Sequence, residues 1–399
     1  MWNFFARRTS WDLTCNRYTE ALEAHRRAGR ELLDLTASNP TTIGLEYREE
    51  ELLRPFANRE ALRYEPQPKG LLSAREAIAN YYAEHGVAVS PDNVVLTTST
   101  SEAYSFLFRL LCNPGDALLL PTPSYPLFDI LAEIQDVKLF PYELVYDHGW
   151  QAEPTSVFAA VDRATVAGAS CQAILAVHPN NPTGSFVQPR EMQLLNDISA
   201  AEDAAIIADE VFLDYALGAE PPLSFAANED ALTFTLSGLS KISGLPQMKV
   251  AWIVVGGPPA LQSDALERLE MIADTYLSMN APVQHAIPGM LEERRNIQPQ
   301  LMQRIRANLQ ELDTQLERQS LCHRLEVEGG WYVIVRVPAT RSDEELAIAL
   351  LERQNVLVQP GHFYDFTADG YLVISLITPG EIFRTGITRL LEYVATIAP

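Results

Sequence analysis

The stretch QAILAVHPNNPTG, residues 172–184, decides the fold. Its first six residues are apolar except Gln172, and an unbroken apolar run of that length reads as a strand covered on both faces. The run ends in Asn180, Asn181, Pro182 and Gly184, residue types that favour turns. Six comparable runs accompany it: NVVLTT from Asn93, ALLL from Ala117, VKLF from Val137, AIIAD from Ala205, LTFTL from Leu232 and VAWIVV from Val250. Stretches of helical period, such as SAREAIANYYAEHG (73–86) and PREMQLLNDISAAED (189–203), lie between them. This alternation predicts an α/β domain over about residues 46–285, a seven-stranded and mostly parallel sheet with helices on both faces.

Beyond it come a long helical pattern, QLMQRIRANLQELDTQLERQ (300–319), then GGWYVIVRVP, the helix SDEELAIALLERQ, VLVQP, YLVISLI and a final helix. These predict a smaller α+β domain made of residues 286–399 together with 1–45. No internal repeat or low-complexity linker marks the boundary.

Composition narrows the function. The chain has 399 residues, 47% of them hydrophobic, enough for a large core. Lys and Arg number 30 against 52 Asp and Glu, a net charge of -22, which argues against nucleic acid and anionic membranes as partners. Cys15, Cys112, Cys171 and Cys322 are widely spaced, with neither a disulfide framework nor metal-ligand spacing, so no metal is expected. The opening MWNFFARRTSWDLTCNRY has too short an apolar run for a signal peptide. A soluble cytoplasmic protein with a small-molecule substrate is the expectation.

In an open parallel sheet, ligands gather beyond the carboxyl ends of the strands. Three strand ends here carry polar residues: HPNNPTG after QAILAV, Asp209 and Glu210 after AIIA, and SGLSK, with Lys241, after LTFTL. Singly these read as a turn, a helix cap and a surface charge. Lys241 is the least ordinary, because SGLSKISGLPQMKVAW (237–252) holds no acidic residue to pair it.

Jointly the segments resemble the fold-type I pyridoxal-phosphate (PLP) enzymes, the class I and II aminotransferases. The resemblance runs through LRYEPQPKGLLSAREAIANYY, TTSTSEAY, PTPSYP, HPNNPTG, ADEVF, LSKISGLPQMK and YLVISLITP, in the family's order. It implies an aspartate aminotransferase-like fold, PLP as cofactor, an amino donor and a keto acceptor as substrates, and a homodimer with shared sites. It further implies Lys241 as the Schiff-base lysine and general base, Asp209 as the partner of the pyridine nitrogen, Asn181 on the phenolic oxygen and Tyr125 stacked on the ring. Ser99, Thr100, Ser101 and Ser240 are implied at the phosphate, with Lys249 beside it and Tyr64 reaching it from the partner subunit.

Four positions depart from the family pattern. Phe212 replaces a tyrosine that bonds the phenolic oxygen, Lys249 a phosphate-clasping arginine and Gly238 a common Ser or Thr. Val373 stands where the family has the arginine that binds the substrate's α-carboxylate, which leaves substrate recognition to other positions. Asn39, Lys69 and His362 are the candidates for it, whereas Arg384 is expected to face solvent. The resulting expectation is an aminotransferase of atypical carboxylate recognition. A PLP lyase or decarboxylase and a weakly catalytic PLP-binding regulatory protein are the alternatives.

Overall fold

The computed structural model describes residues 4–277 and 279–397. Its strands are β1 (Leu33–Asp34), β2 (Val94–Thr97), β3 (Ala117–Thr122), β4 (Lys138–Tyr146), β5 (Trp150–Ala152), β6 (Cys171–Val177), β7 (Ala205–Asp209), β8 (Thr233–Gly238), β9 (Ala251–Gly256), β10 (His323–Arg324), β11 (Tyr332–Arg336), β12 (Val356–Leu357), β13 (Gln359–Pro360) and β14 (Tyr371–Ser375). All seven strands expected of the large sheet form, in the order β2-β9-β8-β7-β6-β3-β4, and β5 adds an eighth at the edge. Only β9 and β5 run against the others.

The eighth strand corrects the expected seven. It is three residues long, and the turn Asp147–Gly149, where His148 has φ 50°, folds it back on β4.

Burial explains why the central strands read as continuous apolar runs. On one face, Leu118, Leu175, Ile207, Phe234 and Ile253 pack against helices Thr100–Leu111 and Pro259–Tyr276. On the other, Leu119, Ile174, Ile206 and Ala208 meet helices Pro154–Val166 and Pro189–Glu202. At about 25 cal/mol per Å² of apolar surface removed from water, two such layers supply most of the driving force for folding. Strand β4, covered on its outer side only along Leu144–Tyr146 by the short edge strand β5, is mostly unburied, as its mixed sequence requires.

The smaller sheet has the order β10-β11-β14-β13, and β1 pairs with β12, which ties the N-terminal segment to the C-terminal part. Helices Asp343–Gln354 and Gly380–Ile397 contribute Leu350, Phe383 and Leu390 to its core. Among the described residues, no helix is long and apolar enough to cross a membrane.

Candidate active site

The large sheet reverses its strand order between β3 and β6, the switch point where an open sheet leaves a crevice. Tyr125 follows β3, Asn181 follows β6, Asp209 ends β7 and Lys241 lies three residues past β8, so the crevice gathers the implied ring-binding residues.

Lys241 sits on a four-residue helix, Leu239–Ile242. Among the described residues, no carboxylate comes within 4.0 Å of its Nζ. The ammonium lies over two aromatic rings, 4.6 Å from the Trp331 centroid and 5.2 Å from that of Phe212. Desolvation by these walls pulls its pKa down to about 8, against the weaker opposing pull of the Asp209 charge. A share of the amine is then free base near neutral pH, which an exposed lysine would not offer.

Asp209 is the mirror case. Burial raises its pKa, although the Val211 N–H (3.1 Å) and the Tyr104 hydroxyl (2.8 Å) both donate to it. A carboxylate held ionised in so apolar a place calls for a cation, and among the described residues none comes within 4.0 Å of it. Next to it Glu210 is fully buried and pushed up to about 8, with Ser224 and the Phe225 N–H donating to it.

Asn181 is buried, and its Oδ1 is without a hydrogen-bond partner among the described residues. Gly184 completes that turn because a side chain there would stand 2.5 Å from the Gly329 carbonyl, at a φ of +71°. The HPNNPTG turn is thereby pressed against the smaller domain.

Ser99 caps helix Thr100–Leu111, its hydroxyl accepting from the Glu102 N–H at 3.1 Å, while Glu102 accepts from the Thr98 N–H at 2.6 Å. Thr100 and Ser101 occupy the first turn, partly buried, with hydroxyls that bond no described residue. Ser240 is equally uncommitted. Lys249 is exposed in the left-handed region, φ +54°. Tyr125 is 44% exposed; partial burial and then the Asp209 charge raise its hydroxyl pKa. Tyr64 is 84% exposed and touches none of these residues.

The substrate candidates are engaged as follows. Lys69 Nζ donates to the Asp92 carbonyl at 3.1 Å and lies 4.0 Å from Glu270. His362 is exposed and packs on Phe363, with ring centroids 4.7 Å apart. Asn39 is exposed, and its Oδ1 accepts from the Thr41 N–H and hydroxyl. Val373 is fully buried on β14, paired across the sheet with Ile334 and Gln359, neither of them charged. Arg336, two residues along β11 from Ile334, is stacked on the Tyr371 ring at 4.2 Å. Arg384 faces solvent, bonded to Glu381 at 3.1 Å.

Gly238 has a steric reason. A Cβ there would come within 2.7 Å of the Val250 carbonyl and 3.0 Å of the Ala251 Cβ. Phe212 is packed on Trp331, with centroids 5.3 Å apart.

Sequence reading missed Tyr104 and Trp331. Tyr104 stands in TTSTSEAY, one helical turn past Ser101, and could have been found as the hydroxyl able to reach a neighbouring strand end. Trp331 had no local signal, because its partner Lys241 lies 90 residues earlier.

A buried carboxylate awaiting a cation, a desolvated amine and the Asn181 amide, whose Nδ2 bonds no described residue and is free to donate to a phenolic oxygen, suit a planar aldehyde-bearing pyridine. Uncommitted hydroxyls at a helix N-terminus suit its phosphate.

Comparison with known proteins agrees. The glutamate-pyruvate aminotransferase AlaA of Haemophilus influenzae is 28% identical over 382 residues, 92% of this chain and 91% of that protein. The alanine aminotransferase of Mycobacterium tuberculosis is 25% identical, over 91% of this chain and 85% of its own length. Among solved structures, an alanine aminotransferase from Pyrococcus furiosus superposes with a TM-score of 0.87 at 21% identity, covering 98% of this chain and all of that one. With residues 31–384 matched by the model for aminotransferase class I and II, this chain belongs to that family of PLP-dependent aminotransferases.

Proposed function

We propose that the enzyme moves an amino group between a keto acid and an amine that carries no carboxylate at the position the family reserves for one. The observation that carries this is Val373, buried with the uncharged neighbours Ile334 and Gln359. A carboxylate buried there without a cation would cost several kcal/mol. Lys69, the cationic candidate closest to the Tyr64 segment, is engaged by Asp92 and Glu270 instead.

Bound PLP supplies an electron-accepting ring. Lys241 holds the cofactor and, with its lowered pKa, moves the proton at the substrate carbon. Asp209 keeps the ring nitrogen protonated, and the Tyr104 hydroxyl holds that carboxylate in place. Asn181 would donate to the phenolic oxygen, Tyr125 would cover the ring, and Ser99, Thr100, Ser101, Ser240 and Lys249 would hold the phosphate. Tyr64 stands beside Leu62, 89% exposed, and this apolar surface fits a second copy of the chain, whose site Tyr64 would complete. The four free cysteines suit a reducing compartment such as the cytoplasm.

The test is the half-reaction rate with a panel of α-amino acids and matched amines lacking the carboxylate. The wild type is expected to favour the amines. Val373→Arg should raise the rate with α-amino acids by about tenfold, the worth of one charge-assisted hydrogen bond, and lower it with the amines. Full efficiency with common α-amino acids in the wild type would sink the proposal.

Phe212 gives a second expectation. A hydroxyl on this ring would donate to the phenolic oxygen and so ease loss of the proton held at the Lys241 nitrogen. Phe212→Tyr should therefore lower the midpoint of the spectral pH titration of the bound cofactor by about 1 unit. An unchanged or raised midpoint rules this out.

A further inference from the structure

The helix that carries Lys241 is too short to hold itself, since one turn fixes several residues for a single internal bond. Two of its carbonyls, and one in the turn that follows it, are held from outside. The Tyr215 hydroxyl donates to the Lys241 carbonyl at 2.6 Å, Gln298 Nε2 to that of Ile242 at 3.0 Å, and the Tyr47 hydroxyl to that of Gly244 at 2.7 Å. Gln298 has a second obligation, because the same Nε2 donates to Asp214 Oδ2. With acceptors on both sides, the amide has one workable orientation. Flipped, its oxygen would face a carboxylate and a carbonyl.

Asp214 is a charge in an unusual place, its side chain only 2% exposed. Its other oxygen accepts from the Tyr81 hydroxyl at 2.8 Å and lies 3.1 Å from His85 Nε2. The Nδ1 of His85 lies 2.8 Å from the Tyr81 carbonyl. Both ring nitrogens thus face acceptors, and only an imidazolium can donate to both. The hydrogen bond to Asp214 raises the His85 pKa in agreement, against the opposing pull of partial burial and, more weakly, of Arg294, which is paired with Glu84.

We propose that Asp214 is a positioning residue for Lys241: ionised and matched to protonated His85, it fixes the Gln298 amide, which fixes the backbone beneath the reactive amine. The inference rests on the reading of Lys241 as the cofactor lysine. It adds that residues far from the ring set how firmly that lysine is presented, and that this firmness depends on pH.

The sign follows from linkage. A histidine whose folded pKa is raised contributes its stabilisation fully below the unfolded value, about 6.5, and loses it as pH rises through the folded value. The pairing therefore weakens on the alkaline side.

The experiment uses the holoenzyme and its Asp214→Asn, Gln298→Met and His85→Gln variants. Amide hydrogen exchange across residues 239–249 is followed against pH and corrected for intrinsic rates, and the cofactor's spectral titration is recorded alongside. Exchange in that segment should rise about tenfold in Asp214→Asn and in Gln298→Met, the equivalent of one hydrogen bond to a charged group. The double variant should be no faster than either single, because both act through one bond. Wild-type exchange should climb as pH passes the His85 pKa, and His85→Gln should lack that climb. Unchanged exchange in Gln298→Met, additive effects in the double variant, or a wild-type pH dependence that survives His85→Gln would each overturn the proposal. If Asp214→Asn does not fold, the other two variants decide. Borohydride reduction keeps the two readings apart: cofactor fixed on another lysine defeats the Lys241 assignment, whereas cofactor on Lys241 with unaltered exchange defeats this inference alone.

Discussion

Lys241→Ala is expected to give a folded protein that binds PLP without a covalent link and loses transamination by at least about 10²–10⁴-fold, the range lost with a positioned general base. Borohydride should then leave no cofactor on the chain, and covalent attachment after reduction would refute the assignment. Stability supplies an independent check. The folded pKa of about 8 lies below the ordinary lysine value of 10.5, so the unfolded chain binds the extra proton between those two values. Burial of this lysine thus costs stability in full below pH 8 and costs nothing above about 10.5. The more conservative Lys241→Met should raise the melting temperature of the cofactor-free protein at pH 7, and the gain should fade as pH climbs toward 10. A gain that stays constant with pH would mean the amine is not desolvated.

Asp209→Asn is the second large effect. Tyr104 donates to Oδ2 and Val211 to Oδ1, so an asparagine keeps the Val211 N–H bond through its one oxygen and turns its amide nitrogen to the Tyr104 hydroxyl oxygen, and the local geometry should survive with one donor reversed while the negative charge disappears. A preorganised charge lost from a site of this kind costs about 10²–10³ in turnover. The same substitution should stabilise the cofactor-free protein at neutral pH. A carboxylate with a raised pKa costs stability above its folded value and costs nothing below the unfolded one, so the stabilisation should vanish in acid. Lower activity with a higher melting temperature is the expected pair of results. Turnover within tenfold of the wild type would remove Asp209 from the chemistry.

Much of this was legible in sequence because parallel strands bury both faces. AILAV (173–177) and AIIA (205–208) are apolar throughout, and the change to the polar turn that holds Asn181 and to Asp209 marks where the sheet stops and the crevice begins. What stayed hidden depends on pairs remote in sequence. Lys69 reads as a free cation near Tyr64 until the fold brings Asp92 and Glu270 beside it. Tyr104 reads as a core aromatic until Asp209, 105 residues away, takes its hydroxyl. Asp214 and Gln298 look like ordinary polar positions in a turn and a helix, and only the carbonyl of Ile242 gives them a shared purpose. Strand β5 was too short for any alternating pattern to register.

The glycine at position 238 has an evolutionary consequence. With Ala251 drawn so near, a hydroxyl-bearing side chain here would push the Val250 carbonyl away from the strand that leads into Lys241. Gly238→Ser alone should therefore be harmful, and the position could accept such a residue only after a compensating change at Val250 or Ala251. The order in which substitutions can be accepted around the lysine is constrained by that one close approach.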